Sequence, residues 1–338
     1  MPVPVPSELQ LTVVDKASLF PSFARAALEA DPIKANLFLP TLTKCITAEY
    51  KGEPLQDQWW IIVHCIENVV FIVSCTDGYM GKYPLFFFTP LTYAQLHPDT
   101  ITPPLVMVAQ ALRRHVSPRR VYSVFAPEIV TQVFSNIWSG VTHIKTEPEA
   151  YYHALISYLT AETLINKATP PISGAECELR LGRPGDLQAI AQLCYLFAED
   201  SPPFTLSMEG AMLEANILLH KQEVFVYTVR YPDGSRRIAS IVATTRNTDT
   251  TATITKVFTH PDFRGRGCAE RLVRWVCKKL LAINIRYVVL FVGIENKAAK
   301  VYQKVGFVGV GDNARPAHGV EPWLELGFDR NQVRLGHW

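Results

Sequence analysis

What this 338-residue chain lacks already narrows its class. It has no charge excess: 33 Lys and Arg face 31 Asp and Glu, a formal net charge of +2 at pH 7. Partners such as nucleic acid or an anionic membrane call for a concentrated basic excess, so neither is expected. It has no disulfide frame. The seven cysteines are odd in number and form no Cys-x-x-Cys, and several lie in apolar strand or helix patterns; that is the pattern of reduced, buried thiols, with no metal expected. Met1 to Pro6 alternate Pro and Val without the basic flank or apolar core of a signal peptide. The most apolar stretch, residues 59–75, falls short of the ~20 residues of a membrane span and carries His64, Glu67 and Asn68 at its centre. Two strands around a tight turn fit it better. These absences predict a soluble protein of the cytoplasm or nucleus.

Length and composition predict two domains. The chain exceeds the ~100–200 residues of one domain, and 48% apolar against 19% charged residues can fill two cores. The second half reads as a strand at 178–181, a helix from Asp186 with apolar Leu187, Ile190, Ala191 and Leu193, a proline-bearing loop at 199–203, and a helix near 207–220. Strands at 224–230 and 237–245 flank the hairpin signal Tyr231-Pro-Asp-Gly-Ser, and a third follows at 251–259. Then come a glycine-bearing loop, a helix at 268–283, a buried strand at 287–292, a helix at 296–304, a strand at 306–310, and a strand at 322–328 able to close the same sheet.

The first half repeats that order, with strands at 59–65, 69–75 and 84–89, a helix at 105–115, a strand at 120–125 and a helix at 128–138. Tyr122-Ser-Val-Phe-Ala-Pro-Glu and Val288-Val-Leu-Phe-Val-Gly-Ile both run from an apolar strand through a turn into a helix. The expectation is an α/β protein with a mixed sheet, one fold duplicated; an unrelated α/β first domain is the alternative. The expected bounds are 1–166 for the first domain, 167–175 for a linker with Pro170 and Pro171, and 176–338 for the second domain. Phe86, Phe87 and Phe88 read as core, and the pairs Arg113-Arg114 and Arg119-Arg120 as helix-end charges.

The informative segment runs from Lys256 to Val273: a strand ends, a loop turns through Gly265 and Gly267, and a helix opens. Glycine lets successive N–H groups converge without a Cβ in the way. The helix N-terminus adds unpaired donors and a partial positive charge. Together they suit a pyrophosphate, with Arg264 and Arg266 able to assist. The Walker pattern fails because no Lys-Ser/Thr follows the second glycine, and Gly-x-Gly-x-x-Gly fails because Glu270 stands in the third glycine's place.

Arg264-Gly265-Arg266-Gly267-Cys268-Ala269, the preceding Val257-Phe258-Thr259-His260-Pro261, and the later Asn296…Tyr302…Gly306-Phe307 resemble, at matching separation, the signatures of the GNAT superfamily of N-acetyltransferases. The resemblance covers roughly 176–328. The whole chain looks like a tandem GNAT protein whose first half has lost its cofactor loop. The resemblance implies acetyl-CoA as cosubstrate, no metal, and an unidentified primary amine as acceptor, handled by a monomer or homodimer. It implies that the main chain of Val257, Phe258 and Thr259 pairs with the pantetheine arm. Amides from Gly265 through Arg266, Gly267, Cys268 and Ala269 to Glu270 would hold the pyrophosphate, Asn296 would contact the cofactor arm or fix its helix, and Tyr302 would protonate the leaving thiolate. A free thiol has a pKa of ~8.5 and tyrosine ~10, so Tyr302 could serve by hydrogen bonding as much as by full transfer.

The amine needs a base. Glu199 is the first choice, from a loop that lines the acceptor side in the resembling family; Asp200, Glu295 and His260 are alternatives. Plainer readings stand beside these: Tyr302 as a packed helix residue, Asn296 as a cap only, Cys268 as small filler, and Glu199-Asp200 as solvated charges. A non-catalytic acyl-CoA binding or sensing module is the rival function. In the first half, Tyr93 to Pro104 stand where the glycine loop should be; with two adjacent prolines and no glycine, no second cofactor site is expected there.

Overall fold

The computed structural model describes residues 8–53 and 58–338; the Pro-Val start lies outside them. The chain forms two units. The first comprises the described residues up to Ala154 together with Glu321–Trp338, and the second is Leu155–Val320.

In the first unit, β1 (Gln10–Val14) leads through α1 (Ser22–Ala30) and α2 (Leu39–Tyr50) to β2 (Trp59–Cys65), β3 (Asn68–Cys75) and β4 (Leu85–Phe88). Then come α3 (Pro98–His115), β5 (Ser123–Pro127) and α4 (Glu128–Thr142), and β6 (Tyr152–Leu159) runs across the boundary. The second unit continues with β7 (Glu176–Leu181), α5 (Leu187–Glu199), α6 (Met208–His220), β8 (Val224–Arg230), β9 (Arg236–Asn247) and β10 (Thr251–Thr259). It ends with α7 (Cys268–Ala282), β11 (Tyr287–Gly293) and α8 (Ala299–Val305), after which β12 (Pro322–Gly327) lies in the first unit.

The order strand, two helices, three strands, helix, strand, helix therefore occurs twice. The pairing repeats with it. β1 to β4 are antiparallel in sequence and β5 lies parallel to β4; β7 to β10 are antiparallel in sequence and β11 lies parallel to β10. A parallel neighbour requires a crossover, which α3 and α7 supply. Consecutive residues Trp60, Ile61, Ile62 and Val63 are all buried. Successive strand side chains point to opposite faces, so β2 is covered on both, which explains its unbroken apolar run.

Several boundaries depart from the sequence reading. The unit boundary falls within β6 rather than near 166, so the segment expected to be a linker lies in the second unit. β12 pairs antiparallel with β5, from Trp323 opposite Pro127 to Gly327 opposite Ser123, and so closes the first unit's sheet rather than the second's. Residues 306–310 form turns instead of a strand, because Gly309 and Gly311 take φ of 72° and 93°, incompatible with extended chain. α3 starts seven residues before the expected 105 and contains Pro103 and Pro104; the carbonyls they leave unbonded, on Asp99 and Thr100, belong to exposed residues that water can serve. Arg120 does end a short 3-10 helix, Pro118–Arg120, but it is buried and donates to the carbonyls of Thr76 and Tyr83 and to Asp77.

One buried acid stands out in the first unit. Glu325 of β12 is fully buried, accepts from Ser123 Oγ at 2.6 Å and from Trp338 Nε1 at 3.1 Å, and shares its surroundings with the Phe125–Trp338 and Phe125–Trp323 ring contacts. Burial pushes its pKa up to about 8 against the pull of those two hydrogen bonds.

Candidate active site

The second unit's sheet opens at one place. β10 pairs with β9 as far as Thr259, but with β11 only from Thr251 opposite Tyr287 to Ile254 opposite Leu290. β11 continues to Gly293 and β10 carries a register shift between Ile254 and Lys256, so the two strands part beyond that point. The β11-facing edge of Val257, Phe258 and Thr259 can therefore accept an extended chain as an added strand. Ser240 steadies the strand end, donating to the Phe258 carbonyl at 2.9 Å and lying 3.0 Å from the Thr259 hydroxyl.

The loop leaving β10 is built to turn back sharply. Pro261–Phe263 makes one 3-10 turn, Phe263 is buried, and Cys268 Sγ lies 3.6 Å from the Phe263 carbonyl. Gly265 and Gly267 both adopt left-handed φ, 77° and 71°, which other residues reach only with strain. Gly267 caps α7, whose first main-chain bond runs from Arg271 N–H to the Gly267 carbonyl. The amides of Cys268, Ala269 and Glu270 thus have no partner inside the helix, at the positive end of a 15-residue dipole. This cradle fits a pyrophosphate.

Charged side chains around it are largely committed. Arg264 is exposed, reaches the Thr259 carbonyl at 3.3 Å and pairs with Asp200 at 3.5 Å, linking the loop after α5 to the glycine loop. Arg266 is exposed above the Phe263 ring. Arg271 donates to the Arg266 carbonyl and to Tyr227 Oη, both at 2.6 Å. The Glu270 side chain turns away to Arg274 and Thr169. Burial alone would raise its pKa; the hydrogen bonds from Arg274 and Thr169 outweigh that and hold it below the ordinary carboxylate value. Burial likewise raises the Cys268 thiol, against the pull of Arg271, which suits packing and not nucleophilic attack.

The second motif lies beyond β11. Asn296 is exposed and its Oδ1 accepts from the Ala298 N–H at 2.9 Å, so its side chain fixes the turn into α8. Tyr302, on α8, is 8% exposed and meets Phe307 edge-on at 5.7 Å between centroids. Glu199 is exposed at the end of α5 and accepts from Tyr195 Oη at 2.7 Å. His260 Nδ1 accepts from the Asp262 N–H at 3.2 Å, and Glu295 is exposed. Sequence reasoning passed over Lys256, buried on β10, which pairs with Glu214 of α6 at 2.6 Å and lies over the Phe197 ring. It also passed over Arg274; an i,i+4 spacing from Glu270 was the available signal.

Among the described residues no helix is long and apolar enough to cross a membrane, no group of His, Cys, Asp or Glu is arranged to hold a metal, and all seven cysteines are free.

Residues 186–307 match the family model described as Acetyltransferase (GNAT) family. An uncharacterized N-acetyltransferase of Porphyra purpurea, ycf52, is 27% identical over 95 residues, 28% of this chain and 53% of the relative. The chain thus spans about half the length of that curated relative. Among solved structures, a Drosophila protein superposes with a TM-score of 0.60 at 11% identity, covering 94% of this chain and 98% of its own. A tandem GNAT protein from the clavulanic acid biosynthesis pathway gives a TM-score of 0.50 at 12% identity, with the same coverage. At such identities the likeness is one of fold, and it runs through both units.

Proposed function

We propose that the GNAT acetyltransferase domain of residues 186–307 transfers the acetyl group of acetyl-CoA to a primary amine, by direct attack with both substrates bound. The observation that carries this reading is the parting of β10 from β11 past Ile254, followed at once by two left-handed glycines and the open N-terminus of α7. Acetyl-CoA supplies the activated acyl thioester. Val257, Phe258 and Thr259 hold its pantetheine arm by main-chain bonds and place the acyl carbon, and the Gly265–Glu270 amides hold the pyrophosphate. Orientation of amine against thioester is the main catalytic effect. As the new C–N bond forms and the C–S bond breaks, Tyr302 shares or donates its proton to the departing sulfur and a base takes the amine proton. Glu199, exposed at the end of α5 with the Tyr195 hydroxyl on its carboxylate at 2.7 Å, is the base in this reading. Seven free thiols suit a cytoplasmic or nuclear site of action.

The test is thiol release from acetyl-CoA by purified protein across a panel of small amines and peptides, with the acetylated product identified by mass. Amine-dependent release is expected; coenzyme A binding without turnover on any amine would favour the sensing module.

Gly267→Asp should bind coenzyme A at least about tenfold more weakly than Gly267→Asn, because the two differ chiefly by a carboxylate set in an anion cradle and both tolerate left-handed φ. Calorimetry on folded variants with equal affinities would remove the cradle.

The first unit should bind none. Its segment after β4, residues 89–98, holds no glycine, and α3 opens on Pro98, which has no N–H to offer, while the N–H groups of Thr100 and Ile101 bond the His97 carbonyl. Titration should saturate at one coenzyme A per chain; a stoichiometry of two would overturn this.

A further inference from the structure

Residues 163–169 lie in the second unit without helix or strand and are largely exposed, yet Ile165 and Thr169 are hydrogen-bonded to α7 and α8. The hub is Arg274 of α7, 4% exposed. Its Nε donates to the Ile165 carbonyl at 2.9 Å, Nη1 to Thr169 Oγ1 at 2.8 Å, and Nη2 to Glu270 Oε1 at 2.9 Å and to the Lys304 carbonyl at 2.7 Å. Thr169 Oγ1 in turn donates a hydrogen bond to Glu270 Oε1 at 2.8 Å. At the other end, Ile165 N–H bonds the Val305 carbonyl, and Gly306, at φ 115°, leaves the space that the Thr163 carbonyl fills: a Cβ there would lie 2.0 Å from it. Thr169 also touches the cradle. A Cβ on Gly267 would stand 3.0 Å from Thr169 Cγ2.

These contacts place a carboxylate and a foreign segment at the first turn of the helix meant to receive a pyrophosphate. An unpaired Glu270 would repel that anion; paired to Arg274 and hydrogen-bonded by Thr169 it does not. We propose that residues 163–169 are a wall of the cofactor site, and that Arg274 is a positioning residue which holds Thr169 against Gly267 and neutralises Glu270. The inference rests on the reading of 265–270 as the pyrophosphate cradle.

Calorimetry with coenzyme A itself, alongside the thermal midpoint of the free protein, tests it. Arg274→Gln should weaken coenzyme A binding about tenfold, the order expected for one unit charge left near the anion. Adding Glu270→Gln should restore affinity to within about threefold of the parent, since the repelling charge is then gone. Thr169→Val, which removes the hydroxyl bridge with little change of volume, keeps the inference testable should Arg274→Gln fail to fold; it should weaken binding about three- to tenfold at a nearly unchanged midpoint. In turnover, the Michaelis constant for acetyl-CoA should rise with kcat unchanged at saturation. Parent-like affinity in both Thr169→Val and folded Arg274→Gln, with Gly267→Asp still weaker than Gly267→Asn, would overturn the inference and leave the cradle standing. Loss of affinity in Arg274→Gln that Glu270→Gln does not rescue would reduce Arg274 to a structural tie. No coenzyme A binding by the parent protein would overturn the cradle itself.

Discussion

Replacing Tyr302 by Phe should lower turnover ~10²-fold or more, at the lower end of what general acid catalysis contributes, while the Michaelis constant for acetyl-CoA changes little. The substitution keeps the ring, its edge-on contact with Phe307 and its place in the core around Val305 and Val310. It removes only the hydroxyl. If that hydroxyl serves the departing sulfur, the lost interaction belongs to the transition state, so kcat and kcat/KM fall together. Asn296, six residues before Tyr302 in the chain, supports the assignment indirectly: its side chain holds the Ala298 N–H and so sets where α8 begins. A residue that serves only packing predicts the reverse, a small drop in thermal midpoint and parent-like turnover. Steady-state kinetics and the midpoint, measured on one preparation, separate the two.

The cradle was legible in the sequence because each part of it is local. A strand end, two glycines at fixed spacing and a helix start lie within twelve residues, and glycine's freedom at positive φ is a property of the residue itself. The duplicated order was legible for the same reason, since hydrophobic periodicity is read within each element. What was missed depends on partners far away in the chain. The pattern at 322–328 announces a strand but not which sheet takes it, and β12 pairs with β5, two hundred residues earlier in order of magnitude. Lys256 and Arg274 look like surface charges until Glu214 and Glu270 are placed beside them. The helix start at Pro98 was hidden by Pro103 and Pro104, whose local preference tertiary packing overrides: Ile101, Pro104, Leu105 and Val108 are all buried on one face. For the base there is no local signature, because no spacing in the sequence singles out one of the exposed carboxylates at 199, 200 and 295.

Replacing Glu325 by Gln should make the protein markedly more stable near pH 8 and hardly at all near pH 4.5. In the fold this carboxyl titrates at about 8, against an ordinary 4.5, because burial in the aromatic interior of the first unit outweighs the hydrogen bonds from Ser123 and Trp338. Below 4.5 the folded and unfolded chains both carry the proton, and the full stability is present. Between about 4.5 and about 8 the unfolded chain releases the proton while the fold retains it, so stability falls by about 1.4 kcal/mol per pH unit. Above about 8 the fold must ionise too and the loss levels off. Over that window the change approaches about 4–5 kcal/mol, comparable with much of a domain's net stability of about 5–15 kcal/mol. Gln keeps the shape, still accepts from the Trp338 N–H through its carbonyl, and can donate to the Ser123 hydroxyl, which turns to receive it. Subtracting the variant's unfolding free energy from the parent's removes every other titrating group common to both. The difference, from urea unfolding between pH 4.5 and 8.5, should widen with the stated slope in the variant's favour. Two parallel curves would mean that Glu325 is ionised in the fold, with water or a cation reaching β12 between Ser123 and Trp338.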